Sequence, residues 1–185
     1  MSAPSPWLLR WQHVLQRDGR ALDLACGSGR HVRHLAALGM QVTAVDRDAQ
    51  ALAGLGDCAR TIVADLEHGP WPLAGAQFEL VLVTNYLWRP LLPRITALLA
   101  PGGWLIYETF AIGQQSIGRP ANPDFLLQPG ELLRACEGLR VLAYEDGFES
   151  AAGCGAVNAR YVQRVAAVCP KKQGAELQTY PLSAE

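Results

Sequence analysis

The residues best suited to chemistry are three acids, Asp23, Asp46 and Asp65, each closing an apolar run, with a loop of very small residues, Ala25-Cys26-Gly27-Ser28-Gly29, just after the first. Glycine accepts positive φ and carries no Cβ, so this loop lets a ligand lie against bare backbone while the chain turns from a strand into a helix at Arg30. A dinucleotide loop, G-x-G-x-x-G/A, needs a small sixth residue, and counting from Gly27 that residue is Val32. The phosphate-loop pattern G-x-x-x-x-G-K-[ST] is absent as well. Asp23 points to a different ligand: a carboxylate at the strand end repels a pyrophosphate and attracts an ammonium group. Asp46 lies roughly 20 residues beyond the loop, where doubly wound sheets place an acid on ribose hydroxyls. Asp48 suits the cap of the following helix better, which leaves Asp46 for the ribose.

An amino group without a phosphate describes S-adenosylmethionine, which also carries a sulfonium. The run from Asp23 to Gly29 resembles motif I of the class I S-adenosylmethionine-dependent methyltransferases, an acid followed by x-G-x-G-x-G, with Ala25 at the first glycine position. The resemblance implies S-adenosylmethionine as cofactor, with Asp65 receiving the adenine amino group. The cofactor-binding residues it implies are Asp23, Ala25, Cys26, Gly27, Gly29, Arg30, Asp46, Arg47, Asp65, Leu66, Thr84, Asn85 and Tyr86. From the glycine loop to a terminal hairpin, including Pro129-Gly130-Glu131-Leu132-Leu133, the chain is similar to the small tellurite-resistance-type methyltransferases. That group methylates small nucleophiles, chalcogen oxyanions among them.

The elements that must position these residues follow from apolar periodicity. Strands are expected over 20–25, 41–45, 61–64, 78–83 and 103–109, and helices over 30–38, 48–55, 88–99 and 129–137. Such alternation predicts a doubly wound, Rossmann-like α/β fold with helices on both faces of a mostly parallel sheet. Two further runs, 139–148 and 159–168, joined by a glycine-rich connection over 150–158, complete seven strands. An antiparallel C-terminal hairpin is the architecture of the resembled family. Pro101-Gly102-Gly103 is expected to stop a helix and turn, and Pro129 to sit in a first helical turn. Residues 1–19 hold Trp7, Leu8, Leu9, Trp11, Val14 and Leu15 at helical spacing, either a lid helix over the cofactor edge or ordinary surface packing. The resemblance implies a methyltransferase domain over residues 20–169, and residues 170–185 are expected to be a flexible tail.

The acceptor should meet the cofactor at the carboxyl ends of the fourth and fifth strands. Candidate catalytic residues there are Glu108, Tyr86 and Arg119, with His31 beside them. Glu108 is either the base for an acceptor that must lose a proton or a strand-end carboxylate holding a backbone amide or Arg119. Tyr86 shapes the pocket. His31, opening the helix after the loop, is a base or, more simply, a solvated or capping side chain. Arg119 and Arg89 suit an anionic acceptor or the surface, and Trp71 and Trp88 a pocket wall or the core. The stretch 111–128 is too long for a mere connector and is expected to be functional.

With 185 residues, half of them hydrophobic, the chain is expected to be one globular domain. A net charge of −1 gives no general attraction to nucleic acid or an anionic membrane. Neither a signal-peptide core nor a membrane span fits the amino-terminal run. The five cysteines, Cys26, Cys58, Cys136, Cys154 and Cys169, show no metal-ligand spacing, so no metal and a reducing cytoplasm are expected. The leading expectation is a cytoplasmic methyltransferase acting on a small molecule. The alternatives are a non-catalytic S-adenosylmethionine-binding module working through a protein partner, and a methyltransferase acting on protein or RNA.

Overall fold

The computed structural model describes residues 2–150, 159–171 and 179–182. Seven strands form one sheet: β1 (Arg20–Leu24), β2 (Gln41–Asp46), β3 (Arg60–Val63), β4 (Phe78–Thr84), β5 (Leu99–Phe110), β6 (Arg140–Glu149) and β7 (Arg160–Val168). Their order is β3-β2-β1-β4-β5-β7-β6. The first five strands pair in parallel, and β7 runs antiparallel to both β5 and β6. Chain order reverses between β1 and β4, and the carboxyl ends of strands at such a switch point open a crevice for ligand.

Helices cover both faces, so the central strands are apolar on both sides. Leu80 and Leu82 of β4 face a core with α1 (Pro6–Trp11), α2 (Arg30–Ala37) and α3 (Ala49–Ala53), through Trp7, Trp11, Val32, Leu35 and Leu52. Val81 and Val83 face the opposite core, which takes Ile95 from α4 (Leu92–Ala97) and Leu132 from α5 (Glu131–Ala135). Val32, which breaks the dinucleotide fingerprint, is fully buried against the sheet. Asp48 caps α3, its Oδ1 accepting the Gln50 and Ala51 N–H groups at 2.9 and 3.0 Å.

Four expected elements differ in the structure. The amino-terminal helix is short, giving way after Trp11 to a 3-10 turn over Gln12–Val14. The helix expected over 88–99 is a 3-10 turn, Arg89–Leu91, followed by α4, because Pro90 and Pro93 cannot donate and are tolerated only in first turns. Pro101-Gly102-Gly103 is no turn but a bulge inside β5, where the register against β4 shifts. The strand continues there because Gly102 N–H donates to Cys169 O at 2.8 Å and Cys169 N–H to Gly103 O at 2.9 Å. Finally, α5 starts at Glu131 rather than Pro129, since Gly130, at φ 69°, sets the helix entry.

The connection over 151–158, with Cys154, and tail residues 172–178 and 183–185 lie outside the described residues. In the rest of the tail, Tyr180 packs edge-on against Trp104, ring centroids 6.0 Å apart. Among the described residues no helix is long and apolar enough to cross a membrane.

Candidate active site

The small-residue loop leaves β1 with Ala25, Gly27 and Gly29 all in the left-handed region, at φ 56°, 54° and 73°. Gly29 suits this point doubly, because its backbone is left-handed and a Cβ there would run into the Leu55 side chain. At Gly27 a Cβ would meet nothing within 4 Å, so this residue presents open backbone. Gly27 N–H donates to Asp46 Oδ2 at 2.7 Å and Asp48 N–H to Asp46 Oδ1 at 2.9 Å, which ties the loop to the end of β2. Cys26 lies beneath the loop, and burial pushes its thiol up to about 12, leaving it inert.

Asp23 is fully buried and neither of its carboxyl oxygens has a hydrogen-bond partner. Burial pushes its pKa up to about 8, with Arg30 opposing the shift and Asp46 adding to it. An unpaired buried carboxylate is costly unless a ligand brings it a cation, so this residue fits the α-amino group of S-adenosylmethionine. His31 Nδ1 stands 3.8 Å from Asp23 Oδ2. The imidazole is buried rather than solvated or capping, and burial, Arg30 and His34 push its pKa down to about 3. It is therefore neutral, and its Nε2 accepts the Ser5 N–H at 3.2 Å while Thr84 Oγ1 stands 3.4 Å from Nδ1.

Three cavities follow from here along the carboxyl ends of the strands. The first, about 200 Å³, is lined by Ala25, Asp46, Arg47, Asp65, Leu66 and Tyr86, with Ala64 and Glu67. Asp65 Oδ1 accepts the N–H groups of Glu67 and His68 at 2.9 and 3.2 Å, which hold its carboxyl below the usual range. The Tyr86 hydroxyl is buried without a partner, and burial raises its pKa. The second, about 250 Å³, shares Glu67 and Tyr86 with the first and adds Asn85, Leu87, Thr109, Phe110, Pro120 and Phe125. The third, about 850 Å³, shares Asn85 and Phe110 with the second and adds Ser5, Leu9, Arg30, Glu108, Ile117, Arg119 and Arg160 among its walls. Asn85, at φ 54°, links the last two, and its N–H donates to Glu108 O at 2.9 Å. A groove of about 810 Å³ at the amino ends of the strands, by Gln41, Arg60 and Phe78, is remote from all three.

Glu108 and Arg119 line the same cavity without pairing. Glu108 is instead locked by Arg160, at 3.1 and 3.2 Å, by Arg164 at 3.3 Å and by the Ser5 hydroxyl at 2.9 Å. The cause is register: Glu108 lies opposite Arg164 in the β5–β7 pair, and Arg164 and Arg160 lie opposite Glu145 and Glu149 in the β6–β7 pair. Both Glu108 oxygens therefore serve to fasten β7 and the amino-terminal segment to β5. Arg89 is a strut rather than a free cation. It binds Glu131 at 2.7 and 3.0 Å, Asp124 O at 2.6 Å and Leu126 O at 2.8 Å. Trp71 and Trp88 pack against the core. Ser5, Glu67 and Arg160 were not foreseen as site residues. Only the strand register could have pointed to Arg160, and no local motif points to Ser5 or Glu67.

Residues 21–103 match the methyltransferase domain family. No curated protein matches the sequence. Among solved structures, the chain is similar to TehB from Haemophilus influenzae at a TM-score of 0.64 and 19% identity, covering 82% of this chain and 57% of that one. It thus spans little more than half of TehB. An S-adenosylmethionine-dependent methyltransferase from Methanosarcina mazei aligns at a TM-score of 0.68 and 14% identity, over 92% of this chain and 100% of that one. A TehB-like methyltransferase from Corynebacterium glutamicum aligns at 0.61 and 22%, over 90% and 88%. The chain thus has the fold of these methyltransferase structures, and residues 21–103 of it match the methyltransferase domain family.

Proposed function

We propose that this enzyme methylates a small anionic acceptor held in the cavity beside Asn85. One observation carries the reading: cavities that share wall residues follow one another from the Asp46–Asp65 cavity to one holding Arg30 and Arg119, and the one acid among the described residues of that last cavity, Glu108, is paired with two arginines. The cavity wall is therefore net cationic. Asp23 would hold the cofactor's ammonium group, Asp46 its ribose, and Asp65 and Leu66 its adenine.

When bound, S-adenosylmethionine supplies a methyl group on a sulfonium, already an excellent leaving group. The chain's task is alignment, and holding reactants in line can lower a barrier by ~7–11 kcal/mol. An anionic nucleophile needs no strong base, which agrees with the committed state of Glu108. Chalcogen oxyanions, the acceptors suggested by the resemblance to tellurite-resistance-type enzymes, belong to this class. The Ser2–Ser5 segment closes one side of the acceptor cavity and acts as its lid. Cys26, Cys58, Cys136 and Cys169 carry free thiols, which suits a reducing cytoplasm.

Titration calorimetry with S-adenosylmethionine tests the cofactor half, and Asp46→Ala should weaken binding at least tenfold. Undiminished affinity in that variant would remove Asp46 from the site. Mass-spectrometric detection of demethylated cofactor with a panel of small anions tests the acceptor half. Binding without turnover on any anion, or turnover only on protein or RNA, would overturn it.

A further inference from the structure

The two acceptor-side cavities differ in chemistry and share a wall. The smaller is walled by Tyr86, Leu87, Phe110, Pro120 and Phe125; of its polar groups, Glu67 and Tyr86 lie on the side it shares with the Asp46–Asp65 cavity, and Asn85 and Thr109 complete the lining. The larger carries the cations. Of these, Arg160 is bound to Glu108 and Glu149, and Arg30 reaches Ala3 O at 3.4 Å. The Arg119 guanidinium has no hydrogen-bond or ion-pair partner among the described residues.

Its backbone is nevertheless held in place. The buried Gln114 side chain donates from Nε2 to Arg119 O at 3.1 Å and accepts Tyr161 N–H at 2.9 Å, fastening this turn to β7. Pro120 lines the smaller cavity, so an unpaired cation stands one residue from an aromatic nest. Glu67 on the far side of the nest repels negative charge and directs an anion toward Arg119.

We infer, resting on the reading of this crevice as the acceptor site, that the acceptor is an organic carboxylate with a flat apolar body. The body stacks among Tyr86, Phe110 and Phe125, and the carboxylate pairs with Arg119. A bare inorganic oxyanion gains nothing from aromatic walls and exchanges its full hydration for the few donors that Asn85, Tyr86 and Thr109 offer. A planar apolar body gains area and ring contacts, and a guanidinium fork matches a carboxylate with two parallel bonds.

The test uses the whole protein saturated with S-adenosylhomocysteine, titrated with 4-hydroxybenzoate, its neutral amide, benzylamine and selenite. The hydroxybenzoate should bind at least tenfold tighter than the amide, with no saturable binding of selenite or benzylamine. Arg119→Gln should abolish the preference for acid over amide while leaving S-adenosylhomocysteine affinity unchanged. Phe125→Leu should weaken acid and amide alike. Tighter binding of selenite or benzylamine than of the carboxylate, or an acid preference that survives Arg119→Gln, would overturn the inference and leave the cofactor site standing. Failure of S-adenosylhomocysteine itself to bind would overturn the underlying reading as well.

Discussion

Asp23 carries a cost in the free protein once it is ionised, and a cationic ligand would offset it. Its pKa is raised from 3.8 to about 8 in the fold, chiefly by burial, so between those pH values the folded chain binds more protons than the unfolded one. Stability from this group therefore falls as pH rises through that window and levels off above about 8. Asp23→Asn keeps the shape and removes the charge. Thermal melts of the cofactor-free variant should match wild type near pH 4 and exceed it increasingly up to pH 8. The same variant should lose at least tenfold in S-adenosylmethionine affinity. A gap between the melts that is constant with pH would mean that Asp23 does not titrate in this range. Binding of the cofactor's ammonium group should also expel a proton from wild type near pH 7, seen as a calorimetric enthalpy that changes with the buffer's ionisation heat.

At the scale of elements, the glycine loop and the stretch 111–128 are built to be rigid. Gly29→Ala would force a left-handed alanine into Leu55, and overpacking of this kind costs about 1–3 kcal/mol, read as a lower melting temperature. Arg89→Ala would release the carbonyls of Asp124 and Leu126 and the Glu131 carboxylate. It should speed proteolysis within 111–128 and raise the acceptor KM while leaving cofactor affinity unchanged; equal cleavage rates would remove Arg89 as the strut. The three acids at strand ends were legible because each depends on a few neighbouring residues and the spacing of apolar runs. The bulge at Pro101-Gly102-Gly103 was not, because its partner, Cys169, is remote in sequence and the residues alone match a turn. The Glu108–Arg164 pair was hidden for the same reason. It spans 56 positions and exists only through the antiparallel register of β5 and β7. Proline positions in α4 and the left-handed Gly130 before α5 account for the helix-boundary differences.

Across the whole molecule, one charge ladder joins the amino-terminal segment to the far edge of the sheet. Arg10 of α1 reaches Glu145 of β6 at 2.8 Å, and Arg164 of β7 binds Glu149 at 3.0 Å and Glu108 of β5 at 3.3 Å. Glu108 then holds Ser5, just ahead of α1, so the ladder closes on the element from which it started. Trp7 lies beneath it, its ring 5.0 Å from the Arg164 guanidinium and its Nε1–H donating to Val165 O at 3.1 Å. Removing one member of a buried ion network leaves the others uncompensated, a loss of about 3 kcal/mol where the pair is fully buried. Glu108→Gln should therefore lower the melting temperature by several degrees and loosen the Ser2–Ser5 segment, measured as faster amide exchange at Ser5. Ser5→Ala removes only a hydroxyl contact and should cost about 1 kcal/mol. If Glu108 served as a proton acceptor, Glu108→Gln would instead flatten the acidic limb of the kcat pH profile and spare stability. The ladder predicts the opposite: a less stable protein whose pH profile of methyl transfer keeps its shape, with rate lost through a cavity wall that no longer stays closed.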